Sequence, residues 1–390
     1  MKLAVVFLAA AASIRTISAQ NLSKGFDHFY NLEYEQAIAE FERELREKPN
    51  EAERYNHLAQ TLLYREMFKA GALESELVTG ANAFTKRDKV GVAPAIEKRF
   101  FELIDRGAAL AQAAIDANPK DARNTYALSV AHGLRGNWNF LIRKAYFDSL
   151  RDLTSSRKLA NRVLEIDPAF IDAKMVTGVH DYVVGSLPAY VRMLGFLAGF
   201  SGDKDGGIGA LQLVAQLGEA NRVDARVLLG VIYRREKRPR EAIPLLEDLT
   251  RRFPRNYLFR LETAQMWADL GDKEKALAAV DKVEELRKSG VTGYGSLSAG
   301  KVAYIRGNIL FWYNDLDRAI DQLSKAAQAP SLDLHTGTMA WLRLGQTYDL
   351  KNQRPNALVA YRQVQTLAPD SDLAKESRRY LSSPYRREKS

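Results

Sequence analysis

"MAWLRLGQTYDLKNQRPNALVAYRQVQTLAPD", residues 339–370, carries a ruler made of small and bulky side chains. Trp341 stands four residues before Gly345 and Tyr348 three after it; Ala357 follows twelve after the glycine, Tyr361 four later and Pro369 eight beyond that. The physical content of the ruler is a pair of helices. Two antiparallel helices cross closely only where neither presents a bulky side chain, so one small residue on each, twelve apart across a short turn, marks the crossing. The aromatic or leucine four residues on fills the groove beside it, and the proline ends one hairpin and opens the next helix.

The same spacing fits Gly25, Ala37, Phe41 and Pro49 near the N-terminus and Gly230, Ala242, Leu246 and Pro254 in the middle. Ala264, Ala276, Val280 and Gly307, Ala319, Leu323 keep it without the final proline, and Gly107, Ala111, Pro119 and Ser156, Ala160, Pro168 show its second half. Such a hairpin cannot bury its own apolar face, so copies must stack. These residues resemble the tetratricopeptide repeat, whose period is about 34 residues. Ala276 lies 34 after Ala242, and the next intervals, to Ala319 and Ala357, are 43 and 38, read as lengthened helices or turns. The resemblance covers most of residues 20–380 and implies an all-α fold, a right-handed α-solenoid of stacked helix-turn-helix repeats.

The organisation expected from this is a leader at 1–19, repeats over 20–181 with an insertion near 71–95, an irregular apolar hairpin over 182–221, repeats over 222–370, and a capping helix with a loose basic tail at 371–390. In the leader one lysine precedes an apolar run from Leu3 to Ala12, and small and polar residues follow to Ala19. That is the outline of a secretory signal cleaved near Ala19, too short for the roughly 20 apolar residues of a spanning helix. The expected location is therefore periplasmic or secreted.

The middle hairpin contains "LPAYVRMLGFLAGFSGDKDGGIGALQL". An Asp-Lys-Asp-Gly start suggests a calcium loop, but the twelfth place from Asp203 is Val214, which has no oxygen to offer. The simpler expectation is that Ser201, Asp203 or Asp205 caps a helix whose buried stripe is Ile208, Leu211 and Ala215. Leu187, Pro188, Gly199, Phe200, Ser201, Gly202, Lys204, Asp205, Gly209 and Leu211 resemble a segment of the tetratricopeptide repeat protein 39 family, which includes the fungal inclusion body clearance protein. The resemblance implies shared architecture in a family linked to inclusion clearance and lipid handling. Its members are intracellular, whereas this leader points to export.

A formal charge of +9, or +7 once Lys2 and Arg15 leave with the leader, is a mild bias over 390 residues. The basic run Tyr233–Glu241 is broken by Glu236 and lacks stacking aromatics beyond Tyr233, so nucleic acid is not the expected partner. The absence of cysteine excludes thiol chemistry and thiolate metal sites. The five histidines show no His-Glu-x-x-His spacing, and neither a Gly-x-Ser-x-Gly elbow nor a phosphate loop occurs. A non-enzymatic protein without cofactor or metal is the expectation.

Binding remains. The resemblance implies that the first helix of each hairpin lines a concave face, with side chains one, four and five residues after the small residue pointing into it. That offset selects Phe26, Phe29 and Tyr30, then Arg234 and Arg235, Gln265, then Asn308, Phe311 and Trp312, and finally Gln346 and Asp349. Aromatics beside amides and arginines suit an extended peptide, amides pairing with its backbone and arginine with its acidic groups. The repeat family's Lys/Asn clamp for a peptide carboxylate is missing, since Tyr304 stands four residues before Asn308 where a lysine is wanted. The expectation is an exported scaffold that binds proteins or peptides and helps assemble a larger complex. The alternative is a carrier of lipid or another apolar small molecule, using the apolar segment 182–200 and touching a membrane surface.

Overall fold

A computed structural model describes residues 22–73, 90–186, 202–330 and 333–387. Among the described residues there are seventeen α-helices and no strand. Eight hairpins follow one another: α1 (Lys24–Tyr30) with α2 (Tyr34–Glu47), α3 (Ala52–Lys69) with α4 (Pro94–Ala117), α5 (Ala122–Trp138) with α6 (Tyr146–Ile166), and α7 (Lys174–Gly185) with α8 (Lys204–Leu217). They continue with α9 (Arg222–Arg235) and α10 (Pro239–Arg252), α11 (Tyr257–Asp269) and α12 (Lys273–Lys288), α13 (Ala299–Trp312) and α14 (Leu316–Ala327), and α15 (Leu334–Leu350) and α16 (Arg354–Leu367). A last helix, α17 (Asp372–Ser382), closes the stack. Each helix packs on its sequence neighbour, which makes the chain a helical-repeat solenoid.

The small residues do sit at the crossings. A Cβ on Gly25 would lie 2.5 Å from the Phe41 ring, and one on Gly307 would lie 2.8 Å from Leu323 Cγ. Opposite them Ala37, Ala242, Ala276, Ala319 and Ala357 are fully buried. The turns between paired helices share a second device. Seven residues after the small residue, Leu32, Lys237, Gly271, Asn314 and Asn352 all have φ between 56° and 95°. The next residue's N–H then donates back to the helix, as from Arg238 to the Tyr233 carbonyl at 2.7 Å and from Gln353 to that of Tyr348 at 2.8 Å. This left-handed step satisfies the carbonyls that the helix end leaves open and reverses the chain in three residues. Leu32 adopts it without being glycine, at a cost of about 1 kcal/mol.

The hairpin α7–α8 obeys the same crossing rule: a Cβ on Gly178 would lie 3.0 Å from Ala210 Cβ. Asp203 caps α8, accepting the Asp205 N–H at 3.1 Å, and Ile208, Leu211 and Ala215 are buried. Residues 187–201, with most of the segment resembling the protein 39 family and most of the apolar 182–200 run, lie outside the described residues, as do the leader and most of the insertion near 71–95.

The solenoid also folds back on itself. Tyr30 packs its ring 5.0 Å from Phe253, and its carbonyl accepts from Asn256 Nδ2 at 2.7 Å. The Arg255 guanidinium reaches Glu33 at 2.8 Å and Asp27 at 2.7 Å, while its backbone N–H donates to Asn31 at 3.0 Å. The first hairpin therefore rests on the loop that joins α10 to α11. One continuous apolar core consequently runs from Phe29 to Met266.

Candidate binding face on the inner helices

Three pairs of successive first helices touch, α3 with α5, α11 with α13 and α13 with α15, and Arg234 ties α9 to α11, which makes these first helices one row of the stack. The selected residues on these helices divide into three groups.

Phe26, Phe29 and Tyr30 belong to the interior. Phe29 and Tyr30 are 4% and 5% exposed, and Phe26 packs against Phe41 at 5.0 Å and His57 at 4.8 Å. Their face is turned toward the α9–α11 region by the closure at Arg255, which a local offset rule does not contain.

The central group is polar. Arg234 donates to Glu262 at 2.9 Å and to the Gln265 side-chain oxygen, with Asp269 3.9 Å away, so α9 and α11 are tied across the inner face. Arg235 is exposed at the rim of an open polar cleft that also involves Gly185, Asp203, Lys204 and Glu236. Lys204 bridges to Glu236 at 2.6 Å, and the Tyr182 hydroxyl donates to Glu236 at 3.0 Å. Burial works to raise the Glu236 carboxyl, but these two donors outweigh it and hold the group below the ordinary carboxylate value.

The C-terminal group is aromatic and basic. Phe311 is fully buried and Trp312 is 55% exposed, their rings edge-on at 5.1 Å. Arg343 from α15 lies over both, 4.5 Å from the Phe311 centroid and 4.8 Å from that of Trp312, and donates to Gln346 at 2.8 Å. Gln346 in turn donates to Glu376 on α17 at 3.2 Å. Asp349 accepts from Arg354 at 3.0 and 3.1 Å, from the Tyr361 hydroxyl at 2.8 Å and from the Tyr385 backbone N–H at 2.8 Å. Burial, and then Asp349, push the Tyr361 hydroxyl well above its ordinary value. Gln346 and Asp349 are thus buried and already committed. Asn308 differs: its Oδ1 is buried with no hydrogen-bond partner, on the same helix α13 as Trp312.

Sequence reasoning missed Arg343, which precedes Gly345 by two, and Tyr385 and Arg387 in the tail. The tail was expected to be loose; residues 384–387 instead fold back over α13 and α15. Its only textual signal is an aromatic in a basic, polar stretch. His28 pairs with Glu33 at 2.6 Å, His132 with Asp152 at 3.4 Å, and the His57 ring packs against Phe26 and Phe41, whereas His335 is exposed. Among the described residues no cluster of three or more His, Asp or Glu could hold a metal ion, and no helix is long and apolar enough to cross a membrane.

Two stretches, residues 227–291 and 340–371, match the tetratricopeptide repeat family. No curated protein sequence matches the chain. Similar solved structures include yeast Tom70, 13% identical over 92% of this chain and 87% of that one at a TM-score of 0.41. Human IFIT1, as a dimer with PPP-AAAA, is 13% identical over 90% of this chain and 81% of that one at 0.44. A tetratricopeptide repeat protein from Parabacteroides merdae is 12% identical over 86% and 96% at 0.32.

Proposed function

We propose that the chain is a non-enzymatic adaptor that binds an extended protein segment along its inner helices. It works outside the cytoplasm after loss of residues 1–19, as part of a larger assembly. What supports the reading is three groups carried on first helices of hairpins: an exposed guanidinium at Arg235, a buried acceptor lacking a partner at Asn308 and a half-exposed indole at Trp312. A backbone N–H of the ligand would satisfy Asn308 once its side chain turns outward, relieving an unmet acceptor that costs about 1–3 kcal/mol. Trp312 and Arg235 offer the aromatic and cationic anchors on which protein recognition most often rests.

The test is site-specific photo-crosslinking in living cells. A photoreactive residue replacing Trp312 should capture one discrete partner, and Arg235→Ala with Asn308→Ala should reduce the yield at least tenfold. The same residue at Glu247, exposed on the second helix α10, serves as the outer-face control. Equal capture at 312 and 247 defeats the proposal. Export is read separately, by N-terminal sequencing of the recovered protein: a chain beginning near Gln20 supports it, and an intact Met1 opposes it.

A further inference from the structure

Residues 384–387, which follow α17, stay on the solenoid. Arg354 grips the end of α17, donating to the carbonyls of Tyr380 at 2.7 Å and Leu381 at 3.0 Å, and so fixes where the tail departs. Tyr385 then donates its backbone N–H to Asp349 at 2.8 Å and sets its ring 5.3 Å from Tyr380, edge-on, and 6.1 Å from Phe311. Arg387 donates to the Phe311 carbonyl and places its guanidinium 5.0 Å from that ring's centroid. Pro384 and Arg386 are exposed while Tyr385 and Arg387 are partly buried. Alternation with a period of two is that of an extended chain showing one face to its support. The residues it meets, Phe311 and Asp349, are each four positions after the small residue of their repeat, the position read as ligand-facing.

We propose that residues 384–387 occupy, within the same molecule, a peptide site of the last two repeats. The partner that replaces them carries an aromatic residue two before an arginine in an extended segment. This rests on the reading of the inner face as a binding face and deepens it. The chemistry is particular: Asp349 takes a backbone N–H, the Phe311–Tyr380 corner takes an aromatic ring, and the Phe311 ring and carbonyl take a guanidinium. A tethered tail acts at an effective concentration of about millimolar, so a partner competes only when it binds well or when the tail is lifted.

The test compares the full native chain with a full-length Tyr385→Ala, Arg387→Ala variant. The probe is fluorescein-labelled Ser-Ser-Pro-Tyr-Arg-Arg, the chain's own residues 382–387, followed by anisotropy. The variant should bind it at least tenfold tighter than the native chain, and at least tenfold tighter than a peptide with alanine in place of tyrosine. Equal affinity for both chains, or for both peptides, overturns the inference. If the variant loses helicity, exchange of the Tyr385 amide in the native chain answers the same question. Slowing of at least tenfold against an open tail supports occupancy, and open-chain exchange refutes it. Crosslinking at position 312 separates the two readings: unchanged capture there with no gain in peptide binding overturns the tail inference alone, whereas a gain in peptide binding without capture supports the site and overturns only the adaptor reading.

Discussion

Gly345→Ala adds one methyl group at a helix crossing. Its Cβ would lie 2.5 Å from Tyr361 Cε1, 2.7 Å from Cδ1 and 3.0 Å from Cζ. Tyr361 has nowhere to retreat, being fully buried with its hydroxyl on Asp349 at 2.8 Å and its ring 5.4 Å from Tyr380. Overpacking of this kind costs about 1–3 kcal/mol. Alanine offsets up to about 1 kcal/mol of that by its better helix propensity. The expected net loss is about 1–2 kcal/mol. Gly209→Ala in α8 isolates the propensity term, since nothing lies within 4 Å of its Cβ, and should gain about 0.5–1 kcal/mol. Gly230→Ala meets Leu246 Cδ2 at 3.4 Å, an ordinary contact, and should be near neutral or slightly stabilising. Urea titration followed by circular dichroism measures the set, with amide exchange in α15 and α16 as the local readout because repeats can open individually. Stability of Gly345→Ala equal to that of Gly209→Ala, or equal damage at 230 and 345, would refute the crossing argument on which the fold reading stands.

Two titrating groups should give opposite pH slopes. Burial lowers His57 to about 4, below its unfolded value near 6.5, so the unfolded chain binds the extra proton and stability is lost as pH falls from 6.5 to 4. Burial raises Asp224 to about 6, above its unfolded value near 3.9, so the folded chain holds the proton and stability is gained as pH falls from 6 to 4. Both keep some exposure, which reduces each effect to about 2 kcal/mol. Against the native chain, Asp224→Asn should steepen the acid loss and His57→Gln should flatten it in urea titrations at pH 4–7; parallel curves would contradict both. Asp172 accepts the N–H groups of Glu219, Ala220 and Asn221 at 2.9–3.1 Å where α9 begins. Asp172→Ala should cost about 2–3 kcal/mol and speed exchange in the first turn of α9, and a loss below about 0.5 kcal/mol would remove its capping role. Arg255→Ala should loosen the first hairpin by about 1 kcal/mol, seen as faster exchange in α1 and α2, with the difference shrinking in high salt; unchanged exchange there would refute the closure.

The hairpins were legible because their rules are local. A small residue, a partner twelve on and a reversal between them are all fixed within about 17 residues, and the left-handed turn seven after the small residue repeats in five hairpins. The same locality let an offset rule single out Arg234, Gln265, Asn308 and Trp312, since a helix fixes where each offset points, but that rule does not contain the closure that takes Phe29 and Tyr30 into the interior. Arg343 was not readable, because its place over Phe311 and Trp312 depends on how far α15 is rotated against α13. Two larger features were decided only in three dimensions. The first hairpin closes on Phe253, Arg255 and Asn256, more than 220 residues away, and the tail from Pro384 lies on Phe311 and Asp349. Both depend on the rise and rotation accumulated over several stacked repeats, where a few degrees per hairpin decide whether distant surfaces meet. No spacing in the chain records that sum, so the sequence specifies the units while the superhelix decides which of their faces remain open.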